Sequence, residues 1–316
     1  MKKEDLRIIF MGTPEFAVAS LKALVESGYN VVGVVTVADK PIGRHGSELQ
    51  PSPVKQYALS QGLTVLQPEK LRDENFILAL DALNADVQIV VAFRMLPQAV
   101  WSMPRYGCIN LHASLLPQYR GAAPINHAVM NGETETGVTT FFITHDIDTG
   151  KIIKQIRIPI ADDDNAGAVH DRLMTVGAAL VVETVEMIIN GNGNVASTPQ
   201  HTDSVLHPAP KIFKETCAVN WSQPVVKVYD FIRGLSPYPA AHTEIVADSG
   251  VHITMKIFAC EKLFEQHSSP PGSIRTDNKT FLDIACNDGF LRILTLQVAG
   301  KKTMSVKNFL NGNTLV

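Results

Sequence analysis

The chain has 316 residues, 45% hydrophobic and 19% charged, with a net charge of −3. That length exceeds what one core usually fills, so two domains are expected, and the balance excludes a lone small module and a poorly hydrophobic disordered chain. No window approaches the ~18 uncharged apolar residues of a membrane helix. The start Met1-Lys2-Lys3-Glu4-Asp5 carries no apolar leader, and a cytoplasmic location away from membranes is expected. Cys108, Cys217, Cys260 and Cys286 lie far apart without a CxxC pair, which argues for reduced, partly buried thiols over a zinc cage or a disulfide framework. From His207 onward the chain carries 12 Lys and Arg against 9 Asp and Glu, and the rest carries 16 against 22. A mildly basic tail thus follows an acidic front.

The opening run Arg7 to Met11 reads as a strand, Gly12-Thr13-Pro14 as a turn, and Phe16, Ala17, Leu21, Leu24 and Val25 as one face of a helix stopped at Gly28. Val31 to Val37 is almost continuously apolar, as a strand covered on both faces must be. Ser52-Pro53 opens a helix ended by Gly62. Strand Leu63 to Leu66, a helix near Asp73 to Leu83 and strand Val87 to Phe93 continue the alternation, which predicts an α/β, doubly wound, mostly parallel sheet. There follow a strand through Gly107 to His112, a helix near Pro124 to Met130, strands Gly137 to Ile143 and Ile152 to Ile158, and a long helix from Ala166 to Ile189. The breaker-rich stretch 191–206 then reads as a linker between a first domain, 1–190, and a tail, 207–316. In the tail, Ala241 to Val246, His252 to Ala259, Thr280 to Ala285 and Leu291 to Gln297 have the pattern of strands in a small barrel or sandwich.

The first turn lacks GxGxxG and no GxxxxGK[ST] occurs, so neither a dinucleotide nor ATP is favoured. Asn110 and His112 are two apart on a strand and project from one side, close to the carboxyl end where such sheets bind ligands. Loop-tying hydrogen bonds would explain them equally well. Asp148, in Asp148-Thr149-Gly150, has the form of a turn aspartate; a metal held by His145, Asp146 and Asp148 is the less favoured alternative, and no metal is expected.

Asn110, His112 with Ser-Leu-Leu-Pro after it, and Asp148 within 137–150 together resemble the folate-dependent formyltransferases. The likeness extends through 10–17 (FMGTPEFA), 51–55 (PSPVK), 112–124 (HASLLPQYRGAAP), 209–211 (APK) and 301–310 (KKTMSVKNFL), and is to the members that act on the methionine carried by initiator tRNA. The resemblance implies a formyltransferase-like variant of the Rossmann sheet in 1–190 as catalytic domain, and an OB-like β-barrel in 207–316 as tRNA-binding domain. It implies 10-formyltetrahydrofolate as donor, initiator methionyl-tRNA as acceptor, and a monomer. By the same resemblance Asn110, His112 and Asp148 are catalytic, with Asn110 and a cationic His112 facing an oxyanion and Asp148 sustaining the imidazolium. Phe93, Arg94, Met95, Leu96, Ser114, Leu115, Leu116 and Pro117 would hold the folate, the 93–96 backbone pairing with the pterin. Lys40 and Arg44, in an insertion that also carries Glu48, and Lys211 would touch tRNA, with Lys214, Arg233, Lys301 and Lys302 following its backbone. The chemistry is indifferent to which amine arrives, so a formyltransferase acting on a nucleotide-linked amino sugar is the near alternative. A non-catalytic RNA-binding protein is the distant one.

Overall fold

The computed structural model describes residues 1–42, 48–201 and 205–316. The chain divides into two compact units, 1–121 with 137–158 and 170–207, and 122–136 with 159–169 and 208–316.

In chain order the first unit begins with β1 (Ile8–Gly12), α1 (Glu15–Glu26), β2 (Val31–Val35), the hairpin β3 (Lys40–Ile42) and β4 (Glu48–Gln50), α2 (Pro53–Ser60) and β5 (Val65–Leu66). It continues with α3 (Glu74–Asp81), β6 (Val87–Val91), α4 (Gln98–Trp101) and β7 (Cys108–His112). After α5 (Pro124–Met130), which belongs to the second unit, come β8 (Glu135–Phe142), β9 (Ile152–Pro159) and α6 (Ala166–Asn190). The local chemistry follows the side chains. Ser52 caps α2 by accepting from the Lys55 amide, Asp73 caps α3 by accepting from Phe76, and β1 and β6 are buried at every position.

The sheet order is β5-β2-β1-β6-β7-β8-β9. β1 pairs in parallel with β2 and β6, and β6 with β7, whereas β8 runs antiparallel to β7 with His112 opposite Thr139. The chain builds outward from β1 through β2 to β5 and then returns to place β6 on the other side of β1, so the crevice between diverging crossovers opens at the carboxyl ends of β1 and β6. Ile9, Met11, Val90 and Cys108 form an apolar core with Phe76 and Leu80 of α3.

Helix α6 corrects the reading that no window suits a membrane: its length and composition do meet that test. Leu173, Leu180, Val181, Val185 and Ile188 are nevertheless buried. A Cβ at Gly177 would lie 2.8 Å from a Leu111 methyl, so the helix sits close on the sheet and a larger residue there would require Leu111 to shift.

The second unit contains α7 (Val225–Leu235), β10 (Ala241–Val246), β11 (His252–Leu263), β12 (Ile274–Thr276), β13 (Leu282–Ala285), β14 (Phe290–Val298), β15 (Met304–Ser305) and α8 (Val306–Leu310). Its antiparallel sheet, ordered β10-β11-β14-β13-β12 with β15 on β14, curls as a barrel-like domain does, and β11 changes register between Ile257 and Cys260. The sequence reading names four strands in the tail and no helix. α7 is the difference: Val225, Val228, Tyr229, Ile232 and Leu235 recur at helical spacing and join the barrel core. In register across β12, β13 and β14 lie Arg275, the fully buried Asp283 and Arg292. Arg292 Nε donates to Asp283 Oδ1 at 2.8 Å, and the Arg275 and Arg292 Nη2 groups each donate to Oδ2 at 3.0 Å.

Because both arginines keep part of their surface in water, Asp283→Ala should cost less than breaking a fully buried pair, about 2 kcal/mol, read as a lowered urea midpoint. All four cysteines are buried, and burial raises every thiol pKa, that of Cys286 to about 12. A thiolate-selective reagent at pH 8 should therefore label none in the native protein and all four in denaturant.

Candidate active site

His112 ends β7, and its ring is buried. Nε2 lies 2.8 Å from the Tyr119 carbonyl oxygen, which can only accept, so this nitrogen carries the hydrogen. Nδ1 is left facing Asp148 Oδ2 at 3.8 Å, a charge contact longer than a hydrogen bond. Asn110 lies one pleat back on the same strand, opposite Phe141, and is half-buried. Among the described residues its carboxamide has no hydrogen-bond partner, so its N–H is free to meet an incoming oxygen.

Asp148 arrives on the loop between β8 and β9, in the left-handed conformation (φ 54°). Its side chain does not cap its own turn, as an Asp-x-Gly sequence suggests, but accepts from the Gly121 amide at 2.9 Å through the oxygen that faces His112. The loop closes tightly at Gly150, where a Cβ would sit 1.6 Å from the Phe142 carbonyl oxygen. Gln200 Nε2 donates to the carbonyls of Asp148 (2.8 Å) and Gly150 (2.9 Å). Its Oε1 accepts from Arg120 Nη2 (2.7 Å) and Nε (3.1 Å).

The loop 113–120 is shaped by Thr139, whose hydroxyl donates to the Ser114 carbonyl at 2.6 Å and accepts from the Leu116 amide and from Gln155 Nε2. Ser114 and Leu116 are buried, the Ser114 hydroxyl donating to the Gln118 carbonyl at 2.6 Å, while Leu115 and Pro117 are half-buried. At the end of β6 the backbone turns at Ala92 (φ 47°), followed by half-buried Phe93 and Arg94 and by Met95, 72% exposed. The Leu96 side chain packs in the core, so a ligand beside it meets main chain. Arg94 donates to the Pro68 and Glu69 carbonyls and thus ties the β6 turn to the segment after β5.

Lys40 is exposed at the start of β3, beside Asp39, whose carboxyl is held below its ordinary range by hydrogen bonds from Lys55 (2.5 Å) and Gln67 (2.7 Å). Arg44 lies outside the described residues. Lys211, Lys214, Lys301 and Lys302 are exposed. Arg233 corrects the expectation for it: the side chain is buried, paired with Asp230 at 2.8 Å, and donates to the Ala161 and Asp164 carbonyls, so it has no surface for a phosphate. His145 and Asp146 are exposed and pair with each other, and among the described residues no group of three His, Cys, Asp or Glu is arranged to hold a metal.

Thr139, Gln155, Arg120 and Gln200 escaped the sequence reading as site residues. Arg120 and Thr139 stand inside quoted motifs, so their position was visible; nothing adjacent to Gln200 in sequence points to a site.

The formyl transferase family profile matches residues 6–185, and that of the formyl transferase C-terminal domain matches residues 211–314. The methionyl-tRNA formyltransferase of Parabacteroides distasonis is 63% identical over 314 residues, covering 99% of this chain and 97% of that protein. The one from Bacteroides thetaiotaomicron is 60% identical over 313 residues, with the same coverage. Two solved structures share the fold. The sugar 3N-formyl transferase WlaRD, with dTDP and 5-N-formyl-THF, superposes with a TM-score of 0.65 at 19% identity over 94% of this chain and 99% of its own. The N-formyltransferase of Helicobacter canadensis, with folinic acid and dTDP-3-aminofucose, gives 0.62 at 21% identity over 91% and 98%. With both halves matched by the family and these two relatives at 60–63% identity over nearly their full length, the chain belongs to the methionyl-tRNA formyltransferases.

Proposed function

We propose that the protein moves the formyl group of 10-formyltetrahydrofolate onto the amino group of methionine esterified to initiator tRNA, as a cytoplasmic monomer with 1–190 as catalytic domain and 207–316 as tRNA-binding domain. The observation that carries this reading is the Asp148 carboxylate 3.8 Å from the buried His112 ring, with Asn110, whose carboxamide has no hydrogen-bond partner among the described residues, two positions back on β7.

In the reaction the neutral amine attacks the formyl carbon, a new N–C bond forms, and the carbonyl oxygen becomes an alkoxide. Collapse breaks the bond to folate N10, which takes up a proton as the amine gives one up. The Asn110 amide donates to the alkoxide, a contact whose loss typically costs ~10²–10³ in rate. His112 contributes as a charge. In this proposal its Nε2–H is spent on the Tyr119 carbonyl, so the ring acts on the reacting oxygen by its field and not by that hydrogen, with Nδ1 turned to Asp148. The Asp148 carboxylate also accepts the amine's proton directly or through one water, and such help commonly gives ~10²–10⁴-fold. The 93–96 backbone reads the pterin, so Arg94 serves by fixing that turn. The buried Ser114 and Leu116 act by holding the loop's shape, and Leu115 and Pro117 line its outer side.

Lys40, Arg44 and Lys211 hold the tRNA backbone, and the second unit adds a groove of about 540 Å³ lined by Lys214, Lys256, Lys301 and His242 together with Phe213 and the 81%-exposed Tyr238. Lys211 Nζ lies over the Phe213 ring at 5.4 Å. Cations beside exposed rings suit a polyanion with stackable bases.

Two measurements test this. Asp148→Asn should lower kcat by ~10²–10⁴ and Asn110→Ala by ~10²–10³ with unchanged melting temperature, near-parental turnover in either refuting its role. Donor should be consumed with methionyl initiator tRNA and not with a dTDP-linked amino sugar; the reverse would give the near alternative. For the groove, replacing Lys214 and Lys301 by alanine should raise KM for tRNA while sparing kcat, and should reduce the slope of log affinity against log salt by about 1–2.

A further inference from the structure

We propose that Gln200 is a positioning residue for formyl transfer, acting through Asp148; the inference rests on the role given to Asp148 above. Asp148 occupies a left-handed backbone conformation that a non-glycine residue holds only when its surroundings impose it. Among the described residues its side chain accepts one hydrogen bond, from the Gly121 amide. Its backbone is held by Gln200, whose two N–H groups are divided between the carbonyls on either side of Thr149, those of Asp148 and Gly150. A carbonyl pinned in this way sets the direction of the neighbouring Cα–Cβ bond, and with it the approach of the carboxylate to His112.

The other end of the glutamine is equally committed. Oε1 accepts both Nε and Nη2 of Arg120, and Arg120 stands between the two residues that hold the reactive pair. Tyr119 supplies the carbonyl on His112 Nε2, and Gly121 supplies the amide on Asp148 Oδ2. Gln200 thus closes a ring of contacts that runs from His112 through Tyr119, Arg120 and Gln200 to Asp148 and back. Its place is secured by the segment that carries it, since Thr198, two residues earlier, exchanges both backbone hydrogen bonds with Ile152 at 2.8 Å.

Only a side chain with two donors and an acceptor at this length can make all four bonds. Glutamate keeps the acceptor and loses the donors, methionine keeps the length and loses both, and asparagine falls one methylene short. A displacement of reacting groups by about 1 Å can cost ~10²-fold in rate, which sets the scale of effect.

The test uses the full chain with 10-formyltetrahydrofolate and methionyl initiator tRNA, in steady-state and single-turnover assays. Gln200→Met and Gln200→Glu should each lower kcat about 10–100-fold, leave KM for both substrates within about twofold, and keep the melting temperature of the parent. The glutamate variant retains the contact to Arg120, so it reports on the two carbonyls even if the methionine variant folds poorly. The discriminating measurement is a cycle with Asp148→Asn. If Gln200 works by aiming the Asp148 carboxylate, adding Gln200→Met to Asp148→Asn should cost less than about threefold more. Multiplicative losses, or a kcat within twofold of the parent in the glutamate variant, would overturn the proposal while leaving the active-site assignment standing. Parent-like turnover by Asp148→Asn alone would instead remove that assignment, and this inference with it.

Discussion

The arrangement depends on keeping a carboxylate close to an imidazole that it does not bond. His112 is fixed by a strand within a buried sheet and by the Tyr119 carbonyl, so it cannot move to meet its partner. Asp148 lies on a loop and must be brought to it. The Gly121 amide does this by taking one carboxylate oxygen at 2.9 Å, which orients that oxygen toward Nδ1 while holding it 3.8 Å away.

That amide exists where it does because the 113–121 loop is braced from beneath. Thr139 stands opposite His112 on β8 and uses its hydroxyl on both sides of the loop, as donor to Ser114 and acceptor from Leu116. The antiparallel strand therefore matters beyond extending the sheet: it delivers a polar hub directly under the segment that carries Tyr119 and Gly121. The same strand leads into the loop bearing Asp148, so the holds on His112 and on Asp148 descend from one pairing register.

In the second unit the arginines and the lysines part ways. Its arginines at 233, 275 and 292 are engaged with aspartates inside the fold, whereas the lysines at 211, 214, 301 and 302 are exposed. This split follows from the side chains: a planar guanidinium with several donors satisfies a buried carboxylate in two directions, and a flexible ammonium stays in water. Counting basic residues in the tail thus overstates the surface available to an RNA by the arginines that structure has claimed.

The apolar runs of β1 and β6, the cap Ser52, and the same-side projection of Asn110 and His112 were legible because each is set by residues within a few positions of one another. Helix α7 was written in the spacing of Val225, Val228 and Ile232 but was masked by the strand-rich texture around it. By itself the sequence determined the alternation of strands and helices and, through the motifs around Asn110, His112 and Asp148, the family resemblance. Which partner each of these side chains meets was decided only in three dimensions. Gln200 reaches Asp148 across 52 positions, Gly121 reaches it across 27, and Arg233 is buried against carbonyls some 70 residues away. Hydrogen bonds of that span depend on where the backbone returns after the sheet has closed, and periodicity along a chain carries no record of such returns.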